Sequence, residues 1–279
     1  MEEELDPFML RVCWIFAGFA MISIMGKPEF VRNKNSYSIL TASLEFGRTY
    51  VVRPKGKHQA TVVWLHEVSE NGFSWYQLLE ALPIRNIKWI CPTAPILQRF
   101  GGSSTTVWFD TPKYSEDALS NMESLDASAA YAAKLLSTEP SHIKLGLGGF
   151  GMGSALALYS AACAVEGRLA NGRPYPANVS AVVGLSGWLP MARFLTDKII
   201  GSKEAVARAA SLPLLLCHGK VDGTVFYKDG ANCSKVLSSP LFQKLTSRSY
   251  DRLGHATIHE EMNEVCSWLT TNLALDGSD

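Results

Sequence analysis

Charge is scarce in this sequence: Asp, Glu, Lys and Arg make up only 19% of its 279 residues, and 26 basic side chains balance 26 acidic ones. A net charge of zero excludes a protein built mainly to grip phosphate backbones, which needs a basic excess to release counterions. No nucleic acid is expected as a partner. The six cysteines, Cys13, Cys91, Cys163, Cys217, Cys233 and Cys266, contain no C-x-x-C pair, so neither a zinc ribbon nor a dithiol redox centre is indicated. Four of them lie in apolar stretches as small core residues, which favours a reducing, cytoplasmic setting. Internal repeats, heptad runs and low-complexity tracts are also missing, which excludes solenoids, coiled coils and biased linkers. What is abundant is apolar material, 47% of residues. A chain of this length buries roughly three quarters of its unfolded surface, ample for one large globular domain.

The apolar content is uneven. Phe8 to Met25 reads FMLRVCWIFAGFAMISIM with Arg11 as its one charge, borderline against the roughly 20 apolar residues of a membrane span. Glu2, Glu3, Glu4 and Asp6 precede it where a secretory signal needs positive charge, and no A-x-A site follows, so secretion is disfavoured. If it inserted, Lys27, Arg32 and Lys34 would face the cytosol and leave the large domain cytoplasmic. The expectation is an N-terminal extension over residues 1–45. Its apolar segment 8–25 is read mainly as an appendage or a start assigned too far upstream, and secondarily as a membrane contact. Residues 46–279 are expected to form the main domain.

From Phe46 onward, short runs rich in Val, Ile and Leu alternate with stretches of helical period. That alternation predicts an α/β fold, a mainly parallel central sheet with helices on both faces. Strands are expected at Arg48 to Val52, Thr61 to Leu65, Ile87 to Cys91, Ile143 to Gly149, Val179 to Leu185, Leu212 to Cys217 and Arg248 to Arg252. Helices are expected at Ser74 to Leu82, Leu119 to Leu136, Met152 to Val165, Ser202 to Ala210, Tyr227 to Leu237 and His259 to Leu273. Gly167 to Ala177 reads as a surface loop.

The run I143-K-L-G-L-G-G-F-G-M-G-S-A-L-A-L has the strand, tight turn and helix of a nucleophile elbow. The G-x-S-x-G of such a turn is here Gly149, Phe150, Gly151, Met152 and Gly153, so glycine holds the serine position. Downstream, C217-H-G-K-V-D222 places Asp222 after a strand, and L253-G-H255 places His255 before the last helix. Nucleophile position, Asp, then His is the chain order of an α/β-hydrolase triad, with the acid orienting the base. An acid and a base are present; the proton donor they would act on is missing.

Several further segments complete a pattern: F46-G-R-T-Y-V-V-R-P-K-G-K-H-Q-A-T-V-V-W-L-H66, C91-P-T-A-P95, W108-F-D110, G148-G-F, L185-S-G-W-L-P190, H218-G-K-V-D222 and G254-H255. Together they resemble the acyl-protein thioesterase and carboxylesterase family of α/β-hydrolases, in its plant-type branch, from about Phe46 to Leu275. The resemblance implies a Ser-His-Asp enzyme for acylated proteins, small acyl esters or lipids, with no metal and no cofactor. It assigns Asp222 and His255 as acid and base, Gly151 as the vacant nucleophile position, and the backbone N–H groups of Val68 and Met152 as oxyanion donors. Trp108, Trp188 and Thr224 are implied to line a substrate cleft, although Trp108, Phe109 and Trp188 would serve equally as core filling.

Departures from the family pattern accumulate around this site. The loop H-G-L-G-D-x-G becomes His66, Glu67, Val68, Ser69, Glu70, Asn71 and Gly72, and D-x-[L/V]-V-P becomes Asp222, Gly223, Thr224, Val225 and Phe226. A Glu67 carboxylate pointing inward would oppose a developing oxyanion. Loss of a triad serine alone costs about 10⁶-fold in turnover. The expectation is therefore an acyl-protein thioesterase-like chain with impaired or absent catalysis. The alternatives are a weak esterase in which His255 and Asp222 activate water, a non-catalytic module binding acyl groups or proteins, and a product of relaxed constraint. Ser154, Ser186 and Cys217 are read as structural. His66 and His218 are read as loop anchors, and His255 with His259 as a poor match to a zinc motif.

Overall fold

The computed structural model describes residues 44–98, 104–115, 120–238 and 241–275. The apolar segment 8–25, with the expectations placed on it, lies outside these residues. In chain order the elements are β1 (Tyr50–Val52), β2 (Ala60–Leu65), α1 (Gly72–Glu80), β3 (Ile87–Cys91), β4 (Ile96–Gln98) and β5 (Ser104–Thr106). Then come α2 (Met122–Ser137), β6 (Lys144–Phe150), α3 (Met152–Glu166), β7 (Val179–Leu185), α4 (Ala192–Ile200) and α5 (Lys203–Ser211). The chain closes with β8 (Leu214–Gly219), α6 (Tyr227–Ser238), β9 (Leu245–Tyr250) and α7 (His259–Asn272).

Seven strands form one sheet in the order β1-β3-β2-β6-β7-β8-β9, and β4 pairs with β5 in a separate hairpin. Every pairing in the main sheet is parallel except β1 with β3. Parallel strands must be covered on both faces, and the alternation of β2 shows how. Val63 and Leu65 pack under α2, α3, α4, α5 and α6, whereas Val62 and Trp64 pack under α1 and α7. Helix α3 is the central one: almost its whole circumference is buried, so it carries no polar face and little amphipathic signal.

Close approach explains the glycines of the elbow. A Cβ at Gly153 would lie 2.0 Å from the Leu65 carbonyl oxygen, and one at Gly149 would lie 2.5 Å from the Gly153 carbonyl carbon. The helix thus sits directly on the strand ends, and Gly151 makes the turn between them with φ 55° and ψ −117°.

Three features differ from the sequence expectations, the first being the β4–β5 hairpin, for which no strand was expected. Helix α4 was not expected; Ala192, Leu195 and Ile199 mark its buried face, but it starts from a left-handed Met191 with no capping side chain, so no start signal precedes it. The strand expected at Arg48 to Val52 covers only Tyr50–Val52, while those expected at Leu212 to Cys217 and Arg248 to Arg252 are displaced to Leu214–Gly219 and Leu245–Tyr250. Strand β9 is a sheet edge whose Ser247, Arg248 and Ser249 are exposed, so it lacks an apolar run to mark it.

One buried acid tunes stability. Glu261 on α7 is fully buried with neither carboxyl oxygen hydrogen-bonded, and burial pushes it up from 4.5 to about 8. The folded state therefore holds a proton that the unfolded chain releases, and stability falls as pH rises from 4.5 towards 8. In Glu261→Gln that component vanishes. Thermal unfolding midpoints measured across this interval should decline less steeply in the variant than in the parent; equal slopes would contradict the assignment.

Candidate active site

The end of β8 presents Asp222. Its Oδ1 accepts from the Thr224 and Val225 N–H groups at 2.9 and 3.0 Å, and its Oδ2 accepts from His255 Nδ1 at 2.8 Å. Burial works against the charge on Asp222, but these bonds, led by the one from His255, hold its carboxyl below the ordinary value. His218 Nε2 donates to the Val225 carbonyl at 2.9 Å and lies 3.5 Å from Asp222 Oδ2. It steadies the loop that carries the acid, the anchoring place expected of it.

The other face of His255 meets Glu67. His255 Nε2 lies 3.0 Å from Glu67 Oε2, and the same oxygen accepts from the Met152 N–H at 3.0 Å. Glu67 Oε1 accepts from the Val68 N–H at 2.5 Å. The two backbone donors named from the sequence thus point at one carboxylate. That carboxylate also lies where a side chain at position 151 would go: a Cβ built on Gly151 would stand 1.3 Å from Glu67 Oε2. Helix α3 has no capping side chain at Gly151, and the positive end of its dipole favours the anion there.

The loop behind Glu67 is tied down from several sides. His66 Nδ1 donates to the Glu67 carbonyl at 2.6 Å and its Nε2 accepts from the Ala94 N–H at 2.9 Å. Burial pushes His66 down to about 4, so it stays neutral. Glu70 Oε2 accepts from the Glu67 N–H at 3.1 Å and from Trp75 Nε1 at 2.9 Å. Ser69, at φ 66°, donates its N–H to the Thr106 carbonyl at 3.0 Å, and Thr106 Oγ1 donates to the Glu70 carbonyl at 2.6 Å. The small β4–β5 hairpin therefore braces the loop.

The structure brings Gly151, Met152, Val68, Asp222 and His255 together, and Thr224 joins them through its N–H bond to Asp222. Trp108 and Trp188 are fully buried, and the indole N–H of Trp108 is spent on the His66 carbonyl at 2.8 Å. Thr224 is exposed. Ser154 Oγ faces the backbone of Gly184 and Gly187, and Ser154, Ser186 and Cys217 are buried. Sequence reasoning named the inward direction of Glu67 only as a condition. It missed Glu70 and Phe150, whose ring centroid lies 4.7 Å from that of His255; a phenylalanine between elbow glycines carries no chemical signal of its own.

Electrostatically the site is an imidazolium between two carboxylates. Burial opposes the charge on His255, yet hydrogen bonds to Asp222 and Glu67 outweigh it and raise the group from 6.5 to about 9. The folded state binds this proton more tightly than the unfolded chain. Its stabilisation is complete below 6.5 and is lost as pH rises through about 9. Removing the carboxylate in Glu67→Ala should bring the His255 titration, followed by imidazole NMR shifts, down towards 6.5. An unchanged titration would show that Asp222 alone holds the proton.

Comparison with known proteins places this geometry. The Phospholipase/Carboxylesterase family model matches residues 47–273. The chain is 30% identical to mouse lysophospholipase-like protein 1 over 238 residues, 80% of this chain and 91% of that one. It is 26% identical to acyl-protein thioesterase 1 homolog 1 of Dictyostelium discoideum over 238 residues, 81% of this chain and 96% of that one. Among solved structures, Zea mays acyl-protein thioesterase 2 is similar with 58% identity and a TM-score of 0.79, covering 81% of this chain and 99% of that one.

Proposed function

The chain belongs to the phospholipase/carboxylesterase family of α/β-hydrolases, and we propose that it is an acyl-protein thioesterase-like member in which serine-based hydrolysis has been lost. The observation that carries this reading is the position of Glu67 Oε2, 1.3 Å from where a Gly151 side chain would begin. The missing serine and the inserted carboxylate are one change seen from two strands. Glycine at 67 would leave the space open for a serine at 151; here glycine is at 151 and the carboxylate takes the space.

The same carboxylate uses both backbone donors that the resemblance assigns to the oxyanion, Val68 and Met152. An acyl carbonyl entering the site meets negative charge where stabilising N–H groups are needed. The weak-hydrolase alternative, with His255 and Asp222 activating water, is disfavoured because His255 Nε2 already has Glu67 as its partner. The ligand class carried over from the relatives is an acylated protein or acyl lipid, handled in the cytoplasm. Among the described residues, Cys91, Cys163, Cys217 and Cys266 are buried free thiols and Cys233 is buried as well, which accords with a reducing setting.

A serine-directed fluorophosphonate should leave the parent protein unlabelled, and ethyl esters of fatty acids should turn over on the order of 10⁶-fold more slowly than with a serine-containing relative. Strong labelling would overturn the proposal. Gly151→Ser alone should stay nearly inactive, because its Cβ collides with Glu67, and a side chain at that positive φ costs about 1–3 kcal/mol of stability. Pairing it with Glu67→Gly clears the collision. The double variant should gain both fluorophosphonate labelling and ester turnover over the single one; equal behaviour of the two would show that Glu67 is not what excludes the serine.

A further inference from the structure

We propose that Glu67 is itself an acyl acceptor, and that the site cleaves thioesters, not alkyl esters, through a glutamyl anhydride. This rests on the reading above that serine chemistry is gone, and names what the replacement carboxylate does. Three observations point to it. Glu67 Oε2 lies at the former nucleophile position, 3.0 Å from His255 Nε2, so oxygen and proton carrier keep the relation of nucleophile and base although the oxygen comes from another strand. Both side chains keep a solvent-facing edge, 13% of Glu67 and 14% of His255, so the pair borders solvent. The Val68 N–H holds Oε1 and His66 fixes the Glu67 backbone carbonyl, which supplies the positioning that makes a weak nucleophile effective.

The steps balance without a further reagent. A lone pair on Glu67 Oε2 forms a bond to the acyl carbon, and the Met152 N–H, released as that oxygen loses charge, turns to the substrate oxyanion. The C–S bond then breaks with its electron pair on sulfur, and His255 Nε2 gives sulfur its proton. The products are an anhydride between the acyl group and Glu67, and a free thiol. His255, now neutral and held by Asp222, takes a proton from water as the water oxygen bonds to the acyl carbon. The acyl–Oε2 bond breaks with its electrons returning to Glu67. Fatty acid leaves, and His255 is again protonated.

Leaving-group chemistry sets the substrate class. A carboxylic acid has a pKa of about 4 and a thiol about 8.5, so the adduct expels thiolate in competition with Glu67 only when a proton is delivered to sulfur. The raised His255, protonated near neutral pH, is matched to that task. An alkoxide, whose conjugate acid is about as weak as water, remains the far worse leaving group, and the adduct collapses back to ester. Serine enzymes of this fold face no such asymmetry, because the attacking and leaving oxygens are alike.

The test uses the full chain in excess over an S-acyl N-acetylcysteamine thioester, beside the matching acyl ethyl ester. The parent should release thiol from the first and leave the second intact. Rapid acid quenching during turnover should capture an acyl adduct that mass spectrometry locates on Glu67. Glu67→Gln, which keeps the shape and removes the nucleophile, should lose thiol release by about 100-fold or more. Thiol release no faster than in buffer, equal release by the variant, or thioester consumption with no modified Glu67 would each overturn the proposal. Should the variant fold poorly, the adduct map on the parent decides alone. Failure of the underlying reading has a different signature, ethyl ester cleavage together with fluorophosphonate labelling.

Discussion

A helix that begins at a glycine has no side chain of its own to satisfy its first N–H groups, and in this protein the answer comes from 85 residues away in sequence, where Glu67 reaches the Met152 N–H. The rest of the site is arranged around that reach. The carboxylate meets the positive end of α3 and the imidazolium of His255, both favourable, and stands near the acids Asp222 and Glu70, both unfavourable. Glu70 shows the strain of this company: burial first, and the neighbouring Glu67 charge with it, raise its carboxyl above the ordinary value. The balance is maintained by the number of directed hydrogen bonds to the loop, which a flexible surface carboxylate would not have.

The scaffold that delivers these groups has changed little from what the family pattern implies. Asp222 still forms two N–H bonds in its own turn, His255 still bridges from the last loop, and the elbow still turns through a positive φ. The occupant of the helix end is the Glu67 side chain, and His255 is held between it and Asp222, which together raise the imidazole above its ordinary value despite burial.

Much of this was legible in the sequence. The parallel sheet followed from alternating apolar runs, because strands covered on both faces have no polar side to interrupt them, as in Ala60–Leu65. The acid, the base and the glycine at the elbow followed from chain order. Elements with weak physical signatures were not legible: the three-residue strands of the β4–β5 hairpin, the polar edge strand β9, and α4, which starts without a cap. Nor could the meeting of Glu67 with Gly151 be read from spacing, since the two lie on the ends of adjacent strands, β2 and β6, whose register only the sheet reveals. The cleft roles given to Trp108 and Trp188 came from resemblance alone, and both rings are fully buried.

The fit between Glu67 and the bare turn at Gly151 makes the two positions mutually exclusive, since a Cβ at 151 would stand 1.3 Å from Glu67 Oε2. Left bare, the turn is a cradle of two N–H groups, from Val68 and Met152, that rewards an acid able to reach it. Residues 67 and 151 therefore act as one steric unit: a side chain can stand at the turn only where the acid opposite it is smaller.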